Sequence, residues 1–358
     1  MTSFLLDIPY IKTIEHYSIK NGVRLICREA FSECVRLKNI ELPSSLNFIG
    51  ENAFSGCIEL NEIHLPNSVV YIGDGAFDCD NMEKQRIRPI VVSIPPTLEI
   101  IDGNPFCQNT RIICDNERFK VINNVLYSAD GKVLISYCSS NEEFIVPDGV
   151  VRIGVGAFRN RSIKTIRFPE TLEVIDKEAF ENDNLETISF PKSLKEIRRK
   201  AFDWCNFKMT CITLPPNIEK IASDAFRFDF DVKMIKVPKG SLEHYKSILP
   251  KWLSNHIYEE DYIFEHNLYL SSDKTELIVA VNGARNYLIP EGVIRVRDEA
   301  FDSIYYIDSI KLPSTLKSIT REAFDKEIQE LKKIIIPKGM KEKFVSMLPD
   351  FEFIIKEE

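Results

Sequence analysis

Hydrophobic positions along the chain repeat with a period of 22 to 24 residues wherever nothing interrupts them. The stretch 40–57 reads I-E-L-P-S-S-L-N-F-I-G-E-N-A-F-S-G-C. An Ala-Phe pair marks each copy, and these pairs stand at 30–31, 53–54, 76–77, 157–158, 179–180, 201–202, 225–226, 300–301 and 323–324. Because a fixed period of this length is typical of stacked structural repeats, the pattern predicts a solenoid in which each copy forms one coil.

The consensus L-x-x-I-x-L-P-x-x-L-x-x-I-x-x-x-A-F-x-x-C predicts the shape of one coil. The I-x-L alternation is that of a short strand with one buried face, and the proline ends the strand because it has no N–H to donate. The L-x-x-I pair then turns the chain back toward the core, where Ala allows coils to approach and Phe fills the interior. The core residues predicted for the copy at 40–57 are Ile40, Leu42, Leu46, Ile49, Ala53, Phe54 and Cys57.

Two related segments interrupt the period. Residues 119–147 contain apolar runs on both sides of Ser-Ala-Asp-Gly at 128–131, and residues 262–290 repeat this arrangement around Ser-Ser-Asp at 271–273. Since turn residues between apolar runs are a strong hairpin signal, each segment is predicted to be a β-hairpin inserted into a coil. A shorter interruption at 83–89 is predicted to be an exposed loop.

A second motif, which begins P-K-G, also occurs twice, at 238–252 and 337–351. Its apolar residues have helical spacing, which predicts helices near 240–250 and 339–349. The second helix ends the chain and is expected to cap an array, so the first marks the end of an earlier array. The predicted domains are an N-terminal cap (1–18), a first repeat array (19–258) and a second repeat array (259–358).

These repeats resemble the BspA-like subfamily of leucine-rich repeats over about residues 19–358. The resemblance implies an α/β, β-rich fold: a right-handed leucine-rich-repeat solenoid with parallel strands on one face and short helical or turn segments opposite. With the interruptions above, this predicts a solenoid of 22–24-residue coils with two inserted β-hairpins and a C-terminal capping helix. The resemblance also implies relatives that are often surface or secreted proteins, some of which adhere to host proteins.

Composition and charge reduce the range of possible functions. Of the residues, 44% are hydrophobic and 28% are charged, which argues against a disordered chain. The net charge of -8 argues against nucleic-acid binding, because the phosphate backbone is itself negative. No apolar run reaches the ~18 residues of a membrane span, so no membrane insertion is expected. The N-terminus lacks the basic start of a signal peptide, which predicts a cytoplasmic protein, or a surface or secreted one if a leader was removed.

The cysteines and histidines show no pattern that predicts a metal site or a catalytic site. Cys34, Cys57 and Cys205 each follow the Phe of an Ala-Phe pair by three residues, and Cys79 and Cys107 lie close to that slot. This recurrence favours buried thiols between coils over a disulfide framework. The five histidines form no cluster with ligand spacing, so no metal site is expected, nor is any cofactor or catalytic residue.

The strands carry the best functional signal, because residues that alternate with the buried Ile and Leu point outward. The face they form is acidic early in the chain and basic late. It is either a solvated sheet face or a docking surface for a protein. The candidate partner-binding residues are Asn39, Glu41, Glu62, His64, Thr165, Arg167, Thr187, Ser189, Lys236, Ser309, Lys311 and Lys333. Candidate aromatic anchors elsewhere are Tyr127, Tyr137, Tyr269, Tyr305, Tyr306 and Trp204, although Tyr127 and Tyr269 share one slot of the inserts and favour a structural role.

The function predicted from these observations is a non-enzymatic, monomeric scaffold that binds a protein of unknown identity. One alternative is a cell-surface adhesin that binds host proteins. Another is an enzyme with a site at the junction of the two arrays, which would need convergent titratable groups in a deep pocket.

Overall fold

Most of the described repeats fold as one coil that contributes a strand to each of two parallel ladders. The computed structural model describes residues 3–5, 13–79, 90–186, 188–205, 211–227, 234–250, 253, 257–259, 261–281, 283–302, 304, 306–324 and 331–358. The chain divides into two compact units, residues 1–209, 213–229 and 246–254 in unit 1 and residues 210–212, 230–245 and 255–358 in unit 2. The predicted boundary at 258–259 stays a prediction, and so does the exposed loop at 83–89, which lies outside the described residues.

Short strands dominate the described part of the chain. From the N-terminus to Arg227 they are β1 (Ser3–Leu5), β2 (His16–Ser18), β3 (Val23–Ile26), β4 (Asn39–Glu41), β5 (Phe48–Ile49), β6 (Glu62–His64), β7 (Tyr71–Ile72), β8 (Val91–Ile94), β9 (Ile100–Ile101), β10 (Arg111–Cys114), β11 (Phe119–Ile122), β12 (Val125–Ser128), β13 (Val133–Tyr137), β14 (Glu143–Ile145), β15 (Arg152–Ile153), β16 (Thr165–Arg167), β17 (Val174–Ile175), β18 (Glu196–Ile197), β19 (Phe202–Asp203), β20 (Cys211–Thr213), β21 (Lys220–Ile221) and β22 (Phe226–Arg227). The remaining elements are β23 (Met234–Lys236), α1 (Leu242–Ile248), β24 (Ile257–Tyr258), β25 (Tyr262–Glu265), β26 (Leu268–Ser271), β27 (Glu276–Ala280), β28 (Asn286–Leu288), β29 (Arg295–Val296), β30 (Ser309–Lys311), a 3-10 helix (Arg321–Ala323), β31 (Lys333–Ile336), α2 (Lys341–Met347), a 3-10 helix (Pro349–Ile354) and β32 (Ile355–Glu357).

Two ladders run along the coils. The I-x-L ladder contains β2–β4, β6–β8–β10 and β14–β16 in unit 1, and β28–β30–β31–β32 in unit 2. The L-x-x-I ladder contains β1–β3–β5–β7–β9 and β13–β15–β17–β18–β21 in unit 1, and β27–β29 in unit 2. Neighbouring strands from successive coils are parallel in both ladders. The first ladder confirms the predicted strands, whereas the second lies where the sequence predicted only a turn of the chain.

The Phe residues of the Ala-Phe pairs form continuous stacks in the core. In unit 1 the ring of Phe54 lies between those of Phe31 and Phe77, with centroid separations of 5.1 and 5.6 Å. A second stack joins Phe158, Phe180, Phe202 and Phe226, and unit 2 has the pair Phe301 and Phe324. The predicted core of the copy at 40–57 is confirmed except for Leu42, which is only partly buried.

The residue before Ala often has a left-handed backbone. Gly75 and Gly156 have φ of 63° and 60°, but Asn52, Glu178 and Lys200 adopt the same conformation with φ of 53° to 57°. Glycine reaches this conformation at no steric cost, whereas a side chain there is strained. Because only some copies use glycine, the sequence pattern did not reveal this sharp bend.

The two inserts are three-stranded meanders rather than single hairpins. The predicted hairpins are confirmed as β12–β13 and β26–β27, but β11 and β25 add a further antiparallel strand to each. Two-residue turns join these extra strands, at Asn123-Asn124 and His266-Asn267, where all four residues have positive φ. Such turns match the twist of a hairpin, and asparagine tolerates them better than most residues. The last strand of each meander joins the L-x-x-I ladder, as β13–β15 and β27–β29.

Buried polar side chains connect the coils across the first insert. Arg161 is 2% exposed, and its guanidinium donates to the backbone carbonyls of Phe106, before the insert, and Tyr137, at its end, over 2.6 and 2.7 Å. The side chain of Asn104 likewise donates to the carbonyl of Gly156 and accepts from the hydroxyl of Ser136. These hydrogen bonds connect the coils on the two sides of the insert, where the repeat period is broken.

Both predicted helices are present, as α1 and α2. Each presents a buried aromatic residue to its unit, Tyr245 and Phe344, which have equivalent positions in the repeated motif. A strand follows each helix, since β24 pairs with β23 and β32 pairs with β31. The edge of the I-x-L ladder in unit 2 is therefore β32 rather than the helix.

The cysteines partly depart from the prediction. Cys34, Cys57 and Cys205 are buried free thiols, as the repeat pattern predicted. The prediction is wrong for Cys79 and Cys107, which form a disulfide with Cα atoms 5.5 Å apart. These two follow their phenylalanines by two residues and one residue rather than three. They therefore leave the repeating slot and come within the reach of a disulfide between neighbouring coils.

Candidate functional site

The outward residues of the I-x-L ladder in unit 1 form the candidate site. Asn39 and Glu41 are exposed on either side of the buried Ile40, and the next coil repeats the arrangement with Glu62, Ile63 and His64. This alternation confirms the period-two interpretation of the strands. The exposed residues are positioned by a ladder whose other face lies on the Phe stack.

Neighbouring polar side chains contact one another on this surface. Asn39 Nδ2 lies 3.0 Å from Nδ1 of His16, its partner in the adjacent strand. An oxygen of Glu62 lies 3.1 Å from Nε2 of His64. Glu41 is exposed, and no other described residue forms an ion pair with it.

Further along unit 1 the same ladder is more mixed. Arg167 and Ser189 are exposed and Thr165 is half-buried, while Thr187 lies outside the described residues. Ile145 pairs with Arg167 across β14–β16 and is itself exposed. The polar and small character that the sequence predicted here therefore includes an apolar neighbour.

In unit 2 two of the predicted basic residues are neutralised by neighbours. Lys236 lies 2.6 Å from Asp261, and its hydrogen bond lowers the pKa of that carboxyl. Lys311 lies 2.9 Å from Glu358 and lowers the pKa of Glu358 in the same way. The basic character predicted for the late strands is thus weaker than the sequence suggested, with Lys333 exposed beside them.

Ser309 does not belong to the exposed set. It is 6% exposed, and its hydroxyl donates to the side-chain oxygen of Asn286 over 2.6 Å. The expectation that it faces solvent is wrong, because the adjacent strand β28 supplies a hydrogen-bonding side chain that covers it. Ser309 is buried because of its neighbour on the adjacent strand. The alternation of residues within one strand does not reveal such a neighbour.

Three of the five candidate aromatic anchors that the structure describes are structural. Tyr127, Tyr137 and Tyr269 are buried, which agrees with the structural role favoured for the first and third. Trp204 and Tyr306 are exposed, and Tyr305 lies outside the described residues. Neither exposed ring lies on the I-x-L ladder.

Sequence reasoning missed an apolar column on the other ladder, of which two residues are exposed and two are half-buried. Leu25, Phe48, Tyr71 and Ile100 are aligned across β3, β5, β7 and β9. Phe48 is 44% and Ile100 53% exposed. The signal was available, since these residues precede the buried Ile of the L-x-x-I slot, where later copies have Arg152, Glu196 and Lys220.

Metal-binding clusters and membrane-spanning helices are absent from the described residues. None of their His, Cys, Asp and Glu side chains form a group of three that could hold a metal ion. Among them, too, no helix has the length and hydrophobicity needed to cross a bilayer.

Asp183 is a buried carboxylate that could suggest catalysis, but its surroundings indicate a structural role. It is 1% exposed, and its Oδ1 accepts from the backbone N–H groups of Ile163 and Asn184. Its Oδ2 has no hydrogen-bond partner among the described residues. Burial raises its pKa well above the usual range, against the hydrogen bonds from these amides and the charge of Arg161. A group so enclosed stabilises the coil and cannot contact a substrate.

We expect Asp183→Asn to remove a pH-dependent loss of stability. An unfolded aspartate has a pKa of ~3.9, and the folded state holds the proton to higher pH. The contribution of Asp183 to stability is therefore complete below about pH 4 and is lost as pH rises through the folded pKa. The free energy of unfolding of the variant minus that of the wild type should increase from about pH 4 to about pH 8, as measured by urea denaturation. The exposed Asp115→Asn is the control, and equal pH slopes for Asp183→Asn and wild type would contradict the assignment.

Comparison with known proteins identifies the repeat. A family model described as "BspA type Leucine rich repeat region" matches six copies, over residues 10–115, 131–249 and 283–348, which is more than half of the chain. Similar solved structures include a leucine rich cell surface protein from Faecalibacterium prausnitzii (23% identity, TM-score 0.46, covering 70% of this chain and 77% of that chain). Others are the pneumococcal vaccine antigen PcpA (19%, TM-score 0.46, 96% and 89%) and a leucine-rich repeat protein from Eubacterium ventriosum (15%, TM-score 0.46, 90% and 88%).

Proposed function

Because the chain belongs to the BspA-type leucine-rich repeat family, we propose that it is a non-catalytic scaffold that binds a protein partner through the I-x-L ladder of unit 1. The observation that supports this is the row of exposed polar side chains on consecutive strands, Asn39 and Glu41 on β4 and Glu62 and His64 on β6. Backbone hydrogen bonds fix these side chains on a rigid surface. Binding there would order few additional groups, which lowers the entropic cost of association.

The charge of this row indicates the chemistry of the partner. Glu41 and Glu62 are exposed acids on neighbouring coils, and exposed aromatic anchors are lacking on the described strands β4 and β6. A partner that presents lysine or arginine side chains to these carboxylates would gain both orientation and a faster encounter. We therefore expect a basic surface on the partner.

The version in which the chain is a surface adhesin is favoured by one observation. The Cys79–Cys107 disulfide would form and persist in an oxidising environment, as at a cell surface. The seven free cysteines favour the intracellular version. The two versions predict partners from different pools. The adhesin would bind host extracellular proteins, and the intracellular protein would bind cytosolic proteins of the source organism.

Charge reversal on the ladder tests the proposal. We expect the wild-type chain to capture a partner from one of these two pools, and Glu41→Lys/Glu62→Lys to bind the purified partner at least ~10-fold more weakly, a change of ~1.4 kcal/mol. Binding is measured by surface plasmon resonance after circular dichroism shows that the variant is folded. The control Glu117→Lys/Glu219→Lys changes the net charge equally at exposed positions off the I-x-L ladder. Equal weakening by both double variants, or no saturable partner in either pool, would contradict the proposal.

A further inference from the structure

The partly exposed apolar column on the L-x-x-I ladder of unit 1 is a second surface, which we call the apolar stripe. It consists of Leu25, Phe48, Tyr71 and Ile100, paired in register on four consecutive parallel strands. The rings of Phe48 and Tyr71 lie 6.3 Å apart at its centre. Phe48 and Ile100 are exposed, and Leu25 and Tyr71 between and beside them are half-buried, with the Tyr71 hydroxyl donating to Asp102. A continuous apolar row that reaches the surface in this way is a feature of interfaces.

Later coils of the same chain mostly have charged residues at the position that the apolar stripe occupies. On β15, β17, β18 and β21 the equivalent residues are Arg152, Val174, Glu196 and Lys220, of which three are charged. Lys220 and Glu196 approach to 3.7 Å, and Arg198 lies 3.0 Å from Glu196. The fold therefore accepts charged residues in this slot, so the coil architecture does not require the apolar stripe.

Charged residues of opposite sign lie beside Leu25 and Ile100, although β1 continues the ladder beyond Leu25. One residue earlier in each coil stand Arg24, Asn47, Val70 and Glu99. Backbone hydrogen bonds connect them in that order, from Asn47 N to Arg24 O, Val70 N to Asn47 O and Glu99 N to Val70 O. Arg24 and Glu99 are both exposed. Because parallel strands are ~4.8 Å apart, three strand spacings separate them by about 14 Å, too far for an ion pair within one molecule.

We propose that the apolar stripe is the interface of a homodimer, with a second copy of this chain as its occupant. A two-fold axis parallel to the strands and between Phe48 and Tyr71 turns one stripe onto the other. It places Phe48 against the partner's Tyr71, and Leu25 against the partner's Ile100. The same operation places Arg24 opposite the partner's Glu99, twice, as an isologous interface requires.

The charge pattern favours a second copy over an unrelated protein. Arg24 and Glu99 lie at equal distances from the proposed axis between Phe48 and Tyr71, so a two-fold rotation places each of them opposite a charge of the other sign. The stripe is short compared with the ~800 Å² per partner of a standard interface, so the dimer should dissociate on dilution. This interface lies on a different ladder from the protein-binding surface proposed above and does not depend on it.

Sedimentation equilibrium over a wide concentration range tests the proposal. The wild type should change from the monomer mass of 41.3 kDa to twice that mass as concentration rises. Phe48→Glu should remain at the monomer mass, as should Arg24→Glu and Glu99→Arg alone, because each single charge reversal sets two like-charged pairs against each other. The exposed Arg111→Glu, on the other ladder, is the control and should dimerise as the wild type does.

Mixing the two charge variants gives the sharpest result. A heterodimer of Arg24→Glu with Glu99→Arg restores two attractive pairs, so the mixture should reach the dimer mass although neither variant does alone. The double variant Arg24→Glu/Glu99→Arg should also dimerise. A wild type that stays monomeric, a dimer that survives Phe48→Glu, or a mixture that fails to associate would each overturn the proposal. If the wild type is monomeric and Phe48→Glu abolishes capture of another protein, the occupant is that protein and not a second copy.

Discussion

Replacement of Phe54 by alanine is expected to lower the free energy of unfolding by ~3–5 kcal/mol. Phe54 is fully buried, and its ring is stacked between those of Phe31 and Phe77. Its removal loses the transfer free energy of the ring and leaves a cavity in a stack that neighbouring coils hold in place. Because each coil depends on its neighbours, the loss should weaken the coils on both sides.

The same substitution six residues earlier is the matched control. Phe48 lies in the same coil but is 44% exposed, so Phe48→Ala should cost less than ~1 kcal/mol. Both free energies are measured by urea denaturation in dilute solution, where the apolar stripe makes no contact with a second copy. The second stack provides a repeat of the test, because Phe180 lies between Phe158 and Phe202 with centroids 4.9 and 5.2 Å away. Equal losses for Phe54→Ala and Phe48→Ala would show that the Phe of the Ala-Phe pair is not the core residue.

The sequence predicted those parts of the fold that every copy repeats. Burial of Ile40, Ala53 and Phe54 depends only on their place in the period, so one consensus describes all coils. The left-handed residue before Ala was hidden, because Asn52 and Glu178 adopt a conformation that glycine usually marks. The Asn123-Asn124 turn was missed for a related reason, since the interpretation relied on Asp-Gly as the hairpin signal.

The candidate site was predictable only in part, because exposure depends on neighbouring strands as well as on alternation. The positions of Glu41 and Glu62 followed from the period of two. The burial of Ser309 depends on Asn286, which lies 23 residues earlier in the chain. The pairing of Lys311 with Glu358 likewise joins residues 47 positions apart. Such contacts are fixed by the register of stacked coils, which single-strand patterns do not contain.

Replacement of Arg161 by methionine is expected to lower the free energy of unfolding by ~2–4 kcal/mol. Methionine can fill much of the volume and removes a buried charge, but it leaves the carbonyls of Phe106 and Tyr137 without their donor. Each unsatisfied buried carbonyl costs ~1–3 kcal/mol. Arg161→Lys should retain part of the stability, because an ammonium can donate to these carbonyls but lacks the planar geometry that reaches both.

Arg167→Met is the matched control, because Arg167 is exposed on the next coil surface and its removal should change stability by less than ~0.5 kcal/mol. Urea denaturation gives the free energies, and hydrogen exchange locates the loss. If Arg161 joins the coils before and after the insert, amides near both Phe106 and Tyr137 should exchange faster in Arg161→Met. A loss of protection confined to the coil of Arg161 would mean that its side chain packs locally and that other contacts, such as Asn104 with Gly156, carry the connection across the insert.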